Sequence, residues 1–278
     1  MQVINQRVLP NARTATENAR VLAAHLKLRG LRAPEYLLTA DGSPIFTDAA
    51  GQQLRAYAYI DGCTPGVQAA AAAGRGWGRF AVAVADFDAS ALTDPPDDFH
   101  HTPTRFAALC AAAAQNPSRA ALCRRELEFV QQHSDAFSTL TCRLATGEVP
   151  ERVIHGDTKA TNLLLDASGA PLGVMDLDTL QRGSLLYDFG DAVRSSCGRQ
   201  GCVHTQALAQ FTEGYLSVAG ALLTDAERAY LQFAPWLIAM ECGMRYLTDF
   251  LCGGGYFRAP EGALNKAREN FAFARQLR

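Results

Sequence analysis

The stretch from Val153 to Asp176 constrains this chain more than any other. Leu163 to Leu165 and Leu172 to Met175 are short apolar runs joined by Asp166-Ala167-Ser168-Gly169-Ala170-Pro171, and this cluster of turn formers predicts a β-hairpin. In an antiparallel pair the first residue of one strand lies beside the last of the other, with strands about 4.8 Å apart. Asn162, just before the first run, and Asp176, just after the second, are therefore expected at one end of the hairpin. Asp157 stands in the loop that leads in, His155-Gly156-Asp157-Thr158-Lys159.

This convergence suits a cation. Mg²⁺ prefers hard oxygen ligands at about 2.0–2.1 Å and usually takes one or two from protein, with phosphate oxygens and water completing the octahedron. An Asn carbonyl and an Asp carboxylate at the mouth of a hairpin meet that need. The spacing His155-x-Asp157-x-x-x-x-Asn162 is the one in which kinases place a catalytic aspartate and a metal-binding asparagine. Asp157 would then accept the proton of an attacking hydroxyl and aim it at a γ-phosphate, while His155 braces the loop by hydrogen bonds. The bland alternative is an ordinary hairpin with common polar residues beside it.

Three runs carry a resemblance. His155-Gly-Asp-Thr-Lys-Ala-Thr-Asn162, Val174-Met-Asp-Leu-Asp-Thr179 and Leu186-Tyr-Asp-Phe-Gly-Asp-Ala-Val-Arg194 look like the aminoglycoside phosphotransferase superfamily, and within it are most similar to the N-acetylhexosamine 1-kinase branch. The resemblance extends more weakly over most of the chain. It implies an α+β, protein-kinase-like two-lobe fold with a small antiparallel sheet and a mainly helical lobe, using ATP and Mg²⁺. The lobes are expected at residues 1–62 and 63–278.

Within that frame, the early strand from Gln2 to Val8 and the helix from about Ala15 to Arg29 resemble the third strand and αC helix of the small lobe, with Thr14 or Thr16 as cap and Gly30 as stop. Arg7 and Glu17 are then the expected phosphate-holding pair, or else simply an exposed Arg and Glu. No strands or glycine-rich turn stand ahead of residue 2, so the small lobe reads as curtailed. Gly74-x-Gly76-x-Gly78 follows an Ala-rich helix and does not replace that turn. A meander with Asp41-Gly42 as a turn ends at Asp61-Gly62, where Tyr59, Ile60 and Asp61 are expected to contact the nucleotide through the main chain. Lys159 joins them on the nucleotide side.

The remainder reads as helices, with Trp77, Phe80, Val84 and Phe87 as core and Pro235 interrupting a helix over 225–249. The resemblance implies acceptor contacts for His100, Arg194, Arg245 and Tyr256, and a structural aspartate at Asp188. Asp178 supports the metal or binds a sugar hydroxyl; spacing does not choose. The eight cysteines form no C-x-x-C pair and read as buried free thiols. A formal charge of −2, no long apolar run and no signal-peptide pattern point to a cytoplasmic protein whose partners are a small-molecule sugar and ATP, without nucleic acid or membrane. The competing expectations are another hydroxyl kinase, for an aminoglycoside, choline or homoserine, and a kinase-like binding protein without catalysis.

Overall fold

The chain opens with a thin antiparallel sheet laid against one long helix. The computed structural model describes residues 1–6, 9–93, 99–255, 257 and 262–277. Strand β4 (Gln53–Tyr57) pairs with β1 (Gln2–Val3), β2 (Tyr36–Leu37) and β3 (Phe46–Thr47), placing Gln2 opposite Arg55, Tyr36 opposite Tyr57 and Phe46 opposite Leu54. The expected first strand is thus only two residues long in the described part. A turn does form at Asp41-Gly42, closed by the Thr39 N–H on the Ser43 carbonyl at 2.8 Å, but β2 and β3 pair with β4 and not with each other. The tight hairpin is β3–β4, where the Asp48 carboxylate captures the N–H groups of Ala50 and Gln52 at 2.9 and 2.8 Å.

Helix α1 spans Ala12–Leu28 and follows Asn11, so neither Thr14 nor Thr16 caps it. Thr16 lies buried in the second turn, its hydroxyl donating to the Ala12 carbonyl at 2.8 Å. Leu22 and Leu26 face the core as expected, whereas Val21 and Leu28 are exposed. Gly30 ends the turn with φ +71°. Leu22 and Leu26 share one apolar cluster with Trp77, Phe80, Ile154 and Leu163, so the core runs across the expected boundary at residue 62.

Beyond the sheet the chain is mainly helical. Helix α2 (Ala70–Ala83) buries Trp77 and Phe80, and Val84 follows at its end. Gly74 explains itself here: a Cβ would sit 2.1 Å from the Phe211 carbonyl oxygen of another helix, and one on Gly214 would sit 2.3 Å from that of Ala71. Gly74 and Gly78 thus serve close helix packing, and Gly76 makes room for the Leu163 side chain. Helices α3 (Thr102–Gln115), α4 (Pro117–Leu122), α5 (Arg124–Gln131) and α6 (Thr139–Ala145) lead to strand β5 (Arg152–Ile154), then the hairpin β6 (Leu163–Leu165) and β7 (Pro171–Val174), and β8 (Gln181–Gly183), which pairs with β5. Helix α7 (Leu185–Cys197) is capped by the Ser184 hydroxyl, which accepts the Leu186 N–H, and is buried along most of its length.

Helices α8 (Thr205–Ala219), α9 (Asp225–Tyr230), α10 (Phe233–Cys252) and α11 (Ala263–Arg275) complete the lobe. The helix expected over 225–249 is broken into α9 and α10 at residues 231–232, and Pro235 stands in the first turn of α10, where its missing N–H leaves no bond unmade. All eight cysteines are free, but only Cys123 and Cys197 are buried and five are exposed, which corrects the expectation of buried thiols. Among the described residues, no helix is long and apolar enough to cross a membrane.

Candidate active site

The hairpin forms as its sequence requires. The Asp166 carboxylate accepts the N–H groups of Ser168 and Ala170 at 2.8 and 3.0 Å, and Gly169 takes φ +80°. Leu163 stands opposite Val174, and the Met175 N–H donates to the Asn162 carbonyl at 2.8 Å. Asn162 and Asp176 therefore meet at the open end. The Asn162 amide donates to Asp157, reaching its carbonyl at 2.8 Å and its Oδ2 at 3.2 Å. Lys159 is seated between two carboxylates, its Nζ bonded to Asp157 Oδ2 and 3.4 Å from Asp176 Oδ2. Burial works against the Lys159 charge, yet Asp157 and Asp176 hold its pKa above the ordinary lysine value.

Behind this group the loop is gripped from inside the protein. Asp188 on α7 accepts the N–H of His155 at 2.8 Å and that of Gly156 at 2.9 Å, and its own carbonyl accepts the Thr158 hydroxyl at 2.6 Å. Burial raises the Asp188 pKa, opposed by His155 and by these N–H bonds. His155 accepts the Asp157 N–H at Nδ1 (3.2 Å), so its Nε2 carries the proton given to the Met175 carbonyl at 2.9 Å. Gly156 needs φ +79°, and a Cβ there would meet the Thr179 carbonyl oxygen at 2.5 Å.

His100 belongs to the same brace. Its Nε2 bonds the Gly156 carbonyl and its Nδ1 bonds Glu241 Oε1, both at 2.8 Å, while Thr102 donates to Glu241 Oε2 at 2.7 Å. A carbonyl and a carboxylate can only accept, so both ring nitrogens are protonated and His100 is an imidazolium. Burial opposes that charge; Glu241 more than offsets it and raises the His100 pKa, and burial of Glu241 is likewise outweighed by His100, which lowers the glutamate. The ring lines the cavity described below, while both its nitrogens are committed to the protein.

On the small-lobe side one member of the expected pair, Arg7, is outside the described residues, and the other, Glu17, bonds Arg20 of its own helix at 2.6 Å on a half-exposed face. The buried cation is Arg55, whose two Nη atoms each reach one oxygen of Asp178 at 2.6 Å. Asp178 is thereby occupied by protein. The segment Tyr59 to Asp61 runs from Ala58, whose N–H bonds the Glu35 carbonyl at 3.0 Å, to Cys63, which exchanges bonds of 2.9 and 2.8 Å with Leu165 of the hairpin. Tyr59 is 86% exposed, and none of Tyr59, Ile60 and Asp61 lines the main cavity.

That cavity, about 570 Å³, opens beside Asp157, Lys159 and Asp176 and is walled by Leu9, Asn11 and Asn18 on one side and by Phe99, Arg194, Arg245 and Tyr246 on the other. Arg194 is held by Asp191 Oδ1 at 2.7 and 3.1 Å. The Arg245 guanidinium lies 4.6 Å from the Phe99 ring centre, and Tyr246 stacks on Phe257 at 4.0 Å. Cys242 also lines the wall, its thiol pushed up to about 11 by burial. Tyr256 lies outside the described residues.

A family model for the phosphotransferase enzyme family matches residues 4–231. The chain belongs to this family. Solved structures share its fold: a microcompartment-associated aminopropanol kinase at 19% identity and TM-score 0.68, over 99% of this chain and 84% of that one. An ethanolamine kinase of Plasmodium vivax is similar at 11% identity and TM-score 0.64, over 98% and 74%. An aminoglycoside phosphotransferase of Alicyclobacillus acidocaldarius is similar at 14% identity and TM-score 0.61, over 95% and 82%. The kinase-like α+β fold expected from the sequence is thus the fold of this phosphotransferase, and its acceptor group is a hydroxyl.

Three side chains of the phosphotransferase site escaped the sequence reading. Arg55 carries no signal beyond its place in a strand, and Glu241 looks like one more helix acid. Asp191 had a signal, since it stands three residues before Arg194 on a helix, where the two side chains meet.

Proposed function

We propose that this chain transfers the γ-phosphoryl group of ATP to a hydroxyl of a small molecule, and that the acceptor is a sugar, the anomeric 1-OH of an N-acetylhexosamine being the first candidate. The observation that supports it is the meeting of Asp157, Asn162 and Asp176 at the hairpin mouth, beside a cavity of about 570 Å³. Asp157 accepts the proton of the acceptor hydroxyl and orients its oxygen; positioning and charge neutralisation supply most of the rate in such reactions. Among solved relatives of this fold, one is described as a GDP complex and another as a ternary complex with ATP and streptomycin, which supports a nucleotide donor.

The donor set fits Mg²⁺. With its amide N–H₂ spent on Asp157, Asn162 keeps Oδ1 as a hard-oxygen donor, and Asp176 adds a carboxylate; the Lys159 ammonium between Asp157 and Asp176 shows that this place favours positive charge. When bound there, Mg²⁺ supplies neutralisation of phosphate charge. The described residues contain no group of three His, Cys, Asp or Glu able to hold an ion, so phosphate and water would complete the shell.

The acceptor wall favours a neutral polyol over a polycation. Of its acids outside the proposed catalytic group, Asp178 is spent on Arg55 and Asp191 holds Arg194 through Oδ1, and Phe99, Tyr246 and Phe257 offer flat apolar surface. Nucleotide and free sugar meet in the cytoplasm, where we place the enzyme. A screen of ADP and GDP release over N-acetylhexosamines, plain hexoses, amino alcohols and aminoglycosides tests the reading. Turnover confined to amino alcohols or aminoglycosides overturns the sugar; nucleotide binding without turnover of any acceptor overturns the kinase in favour of a binding module.

A further inference from the structure

One buried ion pair has no task in the reaction as described. Arg55 on β4 has a side chain only 2% exposed, and it grips both oxygens of Asp178 at 2.6 Å. It is further tied to Thr16 of α1 at 3.1 Å and to Gln2 of β1 at 2.9 Å, with its guanidinium 5.2 Å from the Tyr36 ring centre. Asp178 sits in the short turn Leu177–Thr179 that begins directly after Asp176. Asp176 holds φ +61° and ψ +60°, a left-handed conformation uncommon outside glycine. Such a conformation persists only where the surroundings over-determine it. On the far side of Asp176 the turn is held by Arg55 on Asp178 and by the Thr179 hydroxyl on the His155 carbonyl at 2.8 Å.

We propose that Arg55 is a positioning residue that, through its two-bonded grip on Asp178, fixes the backbone of residues 176–179 and hence the aim of the Asp176 carboxylate at the divalent ion. The inference rests on the reading of Asp176 as a metal aspartate. It makes the strand that runs into the nucleotide hinge and the metal-binding turn one mechanical unit. A planar guanidinium fork matches both carboxylate oxygens at once, which a lysine point charge does not.

The test compares Arg55→Met, Arg55→Lys, Asp178→Asn and the double variant Arg55→Met/Asp178→Asn, with Asp176→Asn as reference. Mn²⁺ binding is titrated by electron paramagnetic resonance in the presence of ADP, amide exchange of residues 175–180 is followed without metal or nucleotide, and thermal midpoints are recorded. Arg55→Met and Asp178→Asn are each expected to weaken Mn²⁺ binding and to speed exchange by about tenfold, and the double variant to be no worse than either, because both remove one shared interaction. Arg55→Lys keeps the charge and recovers only part of the loss, and it carries the test if Arg55→Met fails to fold. Exchange and Mn²⁺ binding like the wild type in Arg55→Lys and Arg55→Met, or single effects that multiply in the double variant, overturn the proposal. If Asp176→Asn abolishes Mn²⁺ binding while the Arg55 variants leave it intact, the clamp alone fails; if Asp176→Asn binds Mn²⁺ normally, the metal reading falls and the proposal with it.

Discussion

The catalytic loop and the hinge segment are both short irregular stretches, yet they are held in different ways. Residues 155–158 are fixed by Asp188 from α7, by His100 with Glu241 behind it, and by a histidine whose two nitrogens join Asp157 to Met175. Tyr59 to Asp61 hang between two backbone anchors, at Ala58 and Cys63, with the Tyr59 side chain in solvent. The difference fits the role proposed for each. A group that aims a hydroxyl tolerates displacements well below an ångström, so its loop is locked by buried charge. A segment read as holding a nucleotide base by its main chain has little use for its side chains.

The largest expected effect is at the reacting group. Asp157→Asn keeps the loop's shape but removes the proton acceptor, and turnover should fall by about 10²–10⁴-fold with the thermal midpoint nearly unchanged. Unchanged turnover would falsify the assignment of Asp157. Next in size is the brace itself. Asp188→Ala strands the buried N–H groups of His155 and Gly156, at a cost of about 1–3 kcal/mol each, so chemical denaturation should show a loss of several kcal/mol with activity falling alongside. Gly156→Ala forces a Cβ against the Thr179 carbonyl in a conformation L-residues avoid, and should lower both stability and turnover in the same assays.

The buried pair gives a pH signature. The His100 pKa is raised above 6.5, so its contribution is fully present below 6.5 and fades as pH climbs through the raised folded value; Glu241 is lowered below 4.5, so its share is present above 4.5 and fades as pH falls through the lowered value. Stability from this pair is therefore whole between 4.5 and 6.5 and declines on the alkaline side. His100→Ala leaves Glu241 buried without its partner, a change that costs about 3–5 kcal/mol, and the alkaline decline in denaturation midpoints should vanish. A His100→Ala protein with the wild-type pH profile would show that the pair sets neither. The smallest effect is expected at Tyr59, where replacement by Ala should change stability by less than about 0.5 kcal/mol and leave the KM for ATP within a few-fold. A large rise in that KM would mean the hinge grips with its side chain, and the contrast between the two segments would narrow.

Much of the site could be read from the chain alone because its parts are close in sequence. Asn162 and Asp176 bracket one hairpin, and a hairpin's ends meet whatever the rest of the molecule does. The helical lobe followed from apolar spacing, as at Trp77, Phe80 and Val84. Errors clustered where a residue's partner is distant. Thr16 looked like a cap and is instead a buried link to Arg55. The brace that His100 forms with Glu241, 141 residues away, was likewise invisible in the local sequence.

From the order of residues came the hairpin and the loop carrying Asp157, since each depends on turns a few residues long, while the kinase-like class came from a family resemblance carried by three short runs. Tertiary structure alone decided which charges neutralise which: Arg55 with Asp178 across 123 positions, His100 with Glu241 across 141, Arg152 with Glu227 across 75. The reason is physical. Local pattern specifies the faces that must be buried, but a buried ion is tolerable only beside its opposite, and that partner is chosen when separate elements pack together.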